Sequence, residues 1–122
     1  MDWKLIILAL TVYKSSAGSG KTFTLVKEYV KLLIKRPQDF KHILAITFTN
    51  KATEEMKTRI LKALEDMGAG KETQLFKILV TELAAELTPL NIQQRAEEAY
   101  DLIIHNYGRF EVSTIDSFFS RV

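Results

Sequence analysis

Cysteine is absent from the 122 residues. This excludes disulfide frameworks, thiolate nucleophiles and cysteine-based zinc sites, and it allows a reducing, cytoplasmic setting. Histidine is scarce, with His42 and His105 the two imidazoles available. No run approaches the roughly 18 apolar residues of a membrane span. The apolar stretch from Leu5 to Leu10 follows Lys4 like the start of a secretory signal, but it is short and leads straight into a glycine-rich loop, so it reads as a buried strand. Strong charge is missing too: the net charge is +2 and the pI about 8.8, too mild to argue for nucleic acid by itself. With 47% hydrophobic and 26% charged residues the composition is that of a globular protein. No repeat, low-complexity tract or linker divides the chain, so one domain is expected.

What the chain does contain is Ser15 to Thr22, SSAGSGKT, between an apolar run (Leu5 to Tyr13) and a helical pattern (Phe23 to Lys35). Gly18 and Gly20 lack Cβ atoms, so successive backbone N–H groups can close around an anion. The helix expected to follow, from about Lys21, adds its free N–H groups and dipole at the same point. Lys21 would then reach the outer phosphates as a point charge, and the Thr22 hydroxyl would complete the coordination of Mg²⁺. Gly18, Ser19 and Gly20 supply backbone donors, flanked by Ser16, Ala17 and Phe23. The bland alternative is a flexible Gly/Ser turn, which the strand-before, helix-after context disfavours.

Along the chain, Leu5 to Tyr13 has the continuous apolar character of a central parallel strand. Phe23, Val26, Val30, Leu33 and Ile34 recur at helical spacing until Pro37 forbids continuation. Lys27, Lys31 and Lys35 fall on one face of that helix and read as a solvated stripe. Ile43 to Thr49 (ILAITFT) has the content of a second buried strand. Asn50 is placed to cap the next helix, with Glu54 and Glu55 in its positively polarised first turn. That helix carries Ala52, Met56, Ile60, Leu64 and Met67 and ends at Gly68 and Gly70. Two amphipathic helices separated by Pro89 follow, with Leu75, Leu79, Leu83 and Leu87 on one stripe and Ile92, Ala96, Tyr100, Ile103 and Tyr107 on the other. Phe110 to Ile115 reads as a third strand, and Asp116 to Val122 as the start of a helix. Strand, crossover helix, strand, helix is the pattern of βαβ units. The expected fold class is therefore α/β: a parallel sheet flanked by helices, with a helical hairpin inserted.

A nucleoside-triphosphate hydrolase also needs an acidic residue on a neighbouring strand end and a group that positions water. The candidate acid, Asp116, precedes Ser117 in a poorly apolar segment, and helix capping suits it better. The chain is expected to be an incomplete piece of such an enzyme.

Three separated stretches resemble one family. SSAGSGKTFTL (Ser15 to Leu25), ILAITFTNKATEEMKTRI (Ile43 to Ile60) and VSTIDSFFSRV (Val112 to Val122) look like motifs I, Ia and the TxHxF-type motif of superfamily 1 DNA helicases of the UvrD/Rep/RecB kind. The likeness is greatest to the N-terminal region of RecB- and AddA-like helicase–nuclease subunits. It implies that residues 1–122 form the N-terminal part of a first RecA-like ATP-binding domain, a partial P-loop fold. It also implies that Lys21 and Thr22 act on ATP and Mg²⁺, with Ser16 to Phe23 as the nucleotide cradle. Thr47, Phe48, Thr49, Asn50 and Lys51, with Thr114, Ser117 and Phe118, become candidate contacts to single-stranded DNA. Hydroxyls, an amide and an ammonium can hold phosphates without reading sequence, and an aromatic can stack on a base. Asp116 stands where the family carries His, and a carboxylate would repel a phosphate there.

The resemblance implies an ATP-dependent DNA helicase or exonuclease serving DNA recombination and repair. Its partners would be single-stranded DNA, the remainder of the same polypeptide and a second helicase–nuclease subunit, with no membrane involved. The 122 residues alone are expected to bind nucleotide weakly without turnover. Two rival readings remain: a small P-loop phosphotransferase with the helical pair as its lid, although the arginines form no recognisable lid pattern, and a non-catalytic nucleotide- or DNA-binding module.

Overall fold

The stripe beginning at Phe23 forms the first helix, α1, Ser19–Lys35. Pro37 stops it, as expected of a residue with no N–H and a fixed φ, after a last bond from Arg36 N–H to the Leu32 carbonyl at 3.1 Å. The computed structural model describes residues 19–42, 45–47, 49–110 and 112–114. A 3-10 turn, Pro37–His42, follows and buries Phe40. Strand β1 is Ala45–Thr47.

Helix α2, Asn50–Gly68, is capped by Thr49, whose hydroxyl accepts the Ala52 N–H at 3.0 Å. The expected cap, Asn50, is already the first helical residue, and this start puts Glu54 and Glu55 beyond the first turn, which holds no acid. The helix ends where Ala69 N–H bonds the Glu65 carbonyl and Lys71 N–H the Asp66 carbonyl, both at 3.0 Å, with Gly70 at φ 83° between them. Such left-handed backbone is where glycine is favoured.

Helix α3, Gln74–Glu82, is capped by Thr73, whose hydroxyl accepts the Phe76 N–H at 3.2 Å. Helix α4, Pro89–His105, opens with a capping box: Asn91 N–H bonds the Thr88 hydroxyl at 3.1 Å and Thr88 N–H bonds the Asn91 side chain at 3.3 Å. Pro89 sits at the first helical position, where a missing N–H costs nothing. After a 3-10 turn, Tyr107–Arg109, comes β2, Val112–Thr114.

The core is helix against helix. Leu25, Tyr29, Val30, Leu33 and Ile34 of α1 meet Met56, Ile60, Leu64 and Met67 of α2 and Ile92, Ala96, Ala99 and Ile103 of α4, all buried in one cluster. Leu75, Leu79 and Leu83 attach α3 to the same cluster. At Gly68 an added Cβ would lie 3.2 Å from Glu97 Cα, so glycine permits the close approach of α2 and α4 there. Tyr107, expected on the core stripe, is instead 45% exposed. Its ring meets Phe110 edge to face, the centroids 5.8 Å apart, and carries the Lys57 ammonium 5.4 Å above it.

The expected parallel-sheet α/β fold is not what the described residues show. They are mostly helical, and their β structure is one parallel pair of three-residue strands, β1 and β2, with Ala45, Ile46 and Thr47 opposite Val112, Ser113 and Thr114. Apolar runs suit a sheet covered on both faces, whereas the buried side chains lie overwhelmingly on four helices that cover one another. The strand expected over Leu5 to Tyr13 and the helix expected over Asp116 to Val122 lie outside the described residues.

Candidate nucleotide and nucleic-acid site

The first turn of α1 contains Ser19, Gly20, Lys21 and Thr22 and no acidic residue. Its free N–H groups and the positive end of its dipole are therefore not offset by a local carboxylate, a setting that fits an anion. Phe23, next in line, is half-buried and packs on the core. Ser16, Ala17 and Gly18 lie outside the described residues. Among the described residues no group of three or more His, Cys, Asp or Glu could hold a metal.

Further along α1, the lysine stripe is not simply solvated. The Glu82 carboxylate at the end of α3 accepts from Lys31 at 2.9 Å and from Lys27 at 3.0 Å. Lys27 also meets Glu28 at 3.2 Å, and Lys35 lies 4.0 Å from Glu86. The hydrogen bond from Lys31, joined by that from Lys27, holds the Glu82 carboxyl below its usual range. The bond to Glu82 in turn raises the Lys27 ammonium above its ordinary value, against the lowering effect of burial. Sequence periodicity located the lysines but could not find Glu82 and Glu86, because their proximity depends on how α3 folds back.

Arg95 of α4 reaches the far end of α1, its Nη1 donating to the Lys35 carbonyl at 2.7 Å and the Ile34 carbonyl at 3.3 Å. A cation on those last carbonyls suits the negative end of the dipole. A helix of 17 residues is about 25 Å long at 1.5 Å per residue, so Arg95 is remote from Lys21. Nothing in the spacing of the arginines foretold this role at the opposite end of the helix.

Of the candidate DNA residues, Thr47 and Thr114 lie in the two paired strands. Register places Thr47 of β1 beside Thr114 of β2, although the two belong to motifs far apart in sequence. Thr49, Asn50 and Lys51 follow β1 at the start of α2, and all three are exposed. Phe48, Ser117 and Phe118 lie outside the described residues, as does Asp116. On α2, a hollow of about 560 Å³ is lined by Lys51, Glu54, Glu55, Thr58 and Arg59. No helix among the described residues is long and apolar enough to cross a membrane.

The start of α1 and the paired strands β1 and β2 fall within the stretches that resemble superfamily 1 helicases of the UvrD/Rep/RecB class. Residues 9–122 match the UvrD/REP helicase N-terminal domain, and the chain belongs to that family. It is similar to RecBCD enzyme subunit RecB of Borreliella burgdorferi, 30% identical over 105 residues, which are 86% of this chain and 8% of that protein. It is also similar to an ATP-dependent helicase/nuclease subunit of Clostridium novyi, 50% identical over 52 residues, covering 41% of this chain and 4% of that one. The corresponding helicase/nuclease subunit of Bacillus mycoides is 49% identical over 68 residues, 52% of this chain and 6% of that protein. The chain thus spans less than a tenth of the length of these curated relatives. No solved structure matches.

Proposed function

We propose that this chain provides the ATP-holding and single-strand-facing part of an ATP-dependent DNA helicase or helicase–exonuclease that acts in recombination and repair. Ser16, Ala17, Gly18, Ser19, Gly20, Lys21, Thr22 and Phe23 form the nucleotide cradle, in which Lys21 neutralises the outer phosphates and Thr22 offers its hydroxyl to Mg²⁺. Bound ATP with its metal would supply the phosphoryl chemistry; the chain's own contribution is to bind and orient phosphate through backbone N–H groups at the start of α1. Thr47, Phe48, Thr49, Asn50 and Lys51, with Thr114, Ser117 and Phe118, grip the DNA strand.

What supports the reading is the backbone register that sets Thr47 opposite Thr114, two residues from separate stretches that the resemblance assigns to the same ligand. The relatives' names, with RecB in one and ATP-dependent helicase/nuclease in the others, support a helicase or nuclease context. By that analogy a second helicase–nuclease subunit is the expected partner. The phosphotransferase alternative gains nothing from the structure, because the α3–α4 pair supplies no arginine near the start of α1: Arg95 is at its other end.

The test is paired titration. Fluorescent ATP analogue should bind the 122-residue chain and lose binding in Lys21→Ala. Labelled poly-thymidine should bind and weaken in Lys51→Ala and Phe48→Ala. DNA binding unmoved by either substitution, or nucleotide binding unmoved by Lys21→Ala, would sink the corresponding half of the proposal.

A further inference from the structure

Strands β1 and β2 have three residues each, the short end of strand lengths. A pair of that length is held in register by the side chains it buries, because a slip of one residue turns every side chain to the other face. The alignment of Ala45, Ile46 and Thr47 with Val112, Ser113 and Thr114 therefore needs an anchor outside the ladder.

Phe110 is placed to be that anchor. Its backbone is already extended, at φ −83° and ψ 104°, and two residues later Val112 begins β2. Both side chains are buried. Side chains two apart on an extended chain share a face, so Phe110 and Val112 enter the core together. Two aromatic rings meet Phe110. Tyr29, fully buried on α1, packs edge to face on it with the centroids 5.9 Å apart. Tyr107 meets it at 5.8 Å, and the Lys57 ammonium of α2 lies 5.4 Å from the Tyr107 centroid. The turn joining the two residues is closed by the Phe110 N–H on the Tyr107 carbonyl at 3.0 Å and by the Arg109 N–H on the Asn106 carbonyl at 2.9 Å. Edge-to-face contacts are directional, so these partners fix where the ring lies and, two residues on, where β2 begins.

We propose that Phe110 is a positioning residue that pins the register of β2 against β1, with Tyr29 holding its ring from α1 and the Lys57–Tyr107 pair bracing it from α2. The purpose of the pin rests on the DNA-contact reading of the strands: it keeps Thr114 opposite Thr47. Phe110 acts through β2 and makes no contact with DNA itself.

The test uses the isotope-labelled 122-residue chain without ligand, reading cross-strand NOEs between residues 45–47 and 112–114 and the exchange of their protected amides. Phe110→Leu keeps an apolar side chain in the core but removes the ring. Exchange in β2 should accelerate about tenfold, the effect of losing two edge-to-face pairs, and the cross-strand NOEs should fade, while Ile60 and Ala96 in the helical core keep their protection. Tyr107→Ala, at an exposed position, should do the same to a smaller degree, and Tyr107→Phe, which preserves the ring contacts, should behave as wild type. Labelled poly-thymidine should bind Phe110→Leu about tenfold more weakly, the effect of one lost hydrogen bond to a charged phosphate. Strand pairing left intact in Phe110→Leu, protection lost equally throughout the helices, or DNA binding unchanged when pairing is lost would overturn the proposal. So would weaker DNA binding by Tyr107→Ala with its pairing intact, since Tyr107 would then act directly. Failure of the wild type to bind poly-thymidine would sink the DNA-contact reading alone, and the NOE and exchange data would still decide whether Phe110 sets the register.

Discussion

Replacing Arg95 by alanine should loosen α1 from its C-terminal end. The guanidinium donates to the carbonyls of Ile34 and Lys35 at 3.3 and 2.7 Å and sits in a half-buried position on α4. A hydrogen bond from a charged donor contributes about 1.5–3 kcal/mol, but the 3.3 Å contact lies past the usual N–H···O range and counts for little. Residual solvent lowers the remaining one toward the bottom of its range. A cation at a helix C-terminus adds about 0.3–1 kcal/mol. The sum is a loss of about 2 kcal/mol, which for a domain of this size lowers Tm by about 6–12 °C.

The assay is urea unfolding followed by far-UV circular dichroism, read as a lower midpoint at unchanged m. Arg95→Lys should recover part of the loss, since an ammonium still complements the dipole but offers no planar fork. A stability of Arg95→Ala within about 0.5 kcal/mol of wild type, the ordinary scatter of surface substitutions, would refute the claim that this contact anchors α1.

Two further outcomes follow from the same geometry. Gly70→Ala forces a Cβ into backbone at φ 83° and within 3.3 Å of the Gln93 amide nitrogen, and should cost about 1–2 kcal/mol, measurable as a lower thermal midpoint. Glu82→Gln should remove the α1–α3 ion pairs, for a loss of at most about 1 kcal/mol. Because Glu82 has a depressed carboxyl pKa in the folded state, the difference between wild type and this variant should be present above the ordinary carboxylate range near 4.5 and vanish as pH falls through the lower folded value. On the alkaline side, Lys27 is raised above 10.5 when folded, so its contribution should persist at neutral pH and fade as pH climbs through the folded value. A wild-type-minus-variant difference independent of pH, followed by chemical denaturation across the range, would show that Glu82 acts through packing alone.

Local signals along the chain are enough to place the helices and much of their buried faces. A 3.6-residue period, prolines at positions 37 and 89 and glycines at 68 and 70 are local signals, and Val30, Ile60, Leu79 and Ile103 are buried where the period put them. The sequence also carried the family, because the loop around Lys21 and the segment around Thr47 are contiguous strings that can be recognised without the fold. The identity of the caps was less legible. Thr49 and Asn50 are adjacent and both are good caps, and only the exact turn at which the backbone becomes helical chose Thr49. Tyr107 likewise continued the α4 period on paper, but the helix ends at His105, and the turn that follows swings the ring outward to Phe110 and Lys57.

The remaining features depend on how the helices pack in three dimensions. Apolar runs say that a segment is buried, not against what, so a sheet between helices and helices packed on one another are equivalent in one dimension. Among the described residues the packing of α1, α2 and α4 resolved that in favour of a helical core with a short parallel pair of strands. Contacts such as Glu82 with Lys27 and Lys31, Arg95 with the end of α1, and Thr47 beside Thr114 join residues whose separation along the chain carries no periodic signal. They exist because loop closure is paid once by the hydrophobic core, after which charged and polar groups distant in sequence meet wherever the helices happen to bring them.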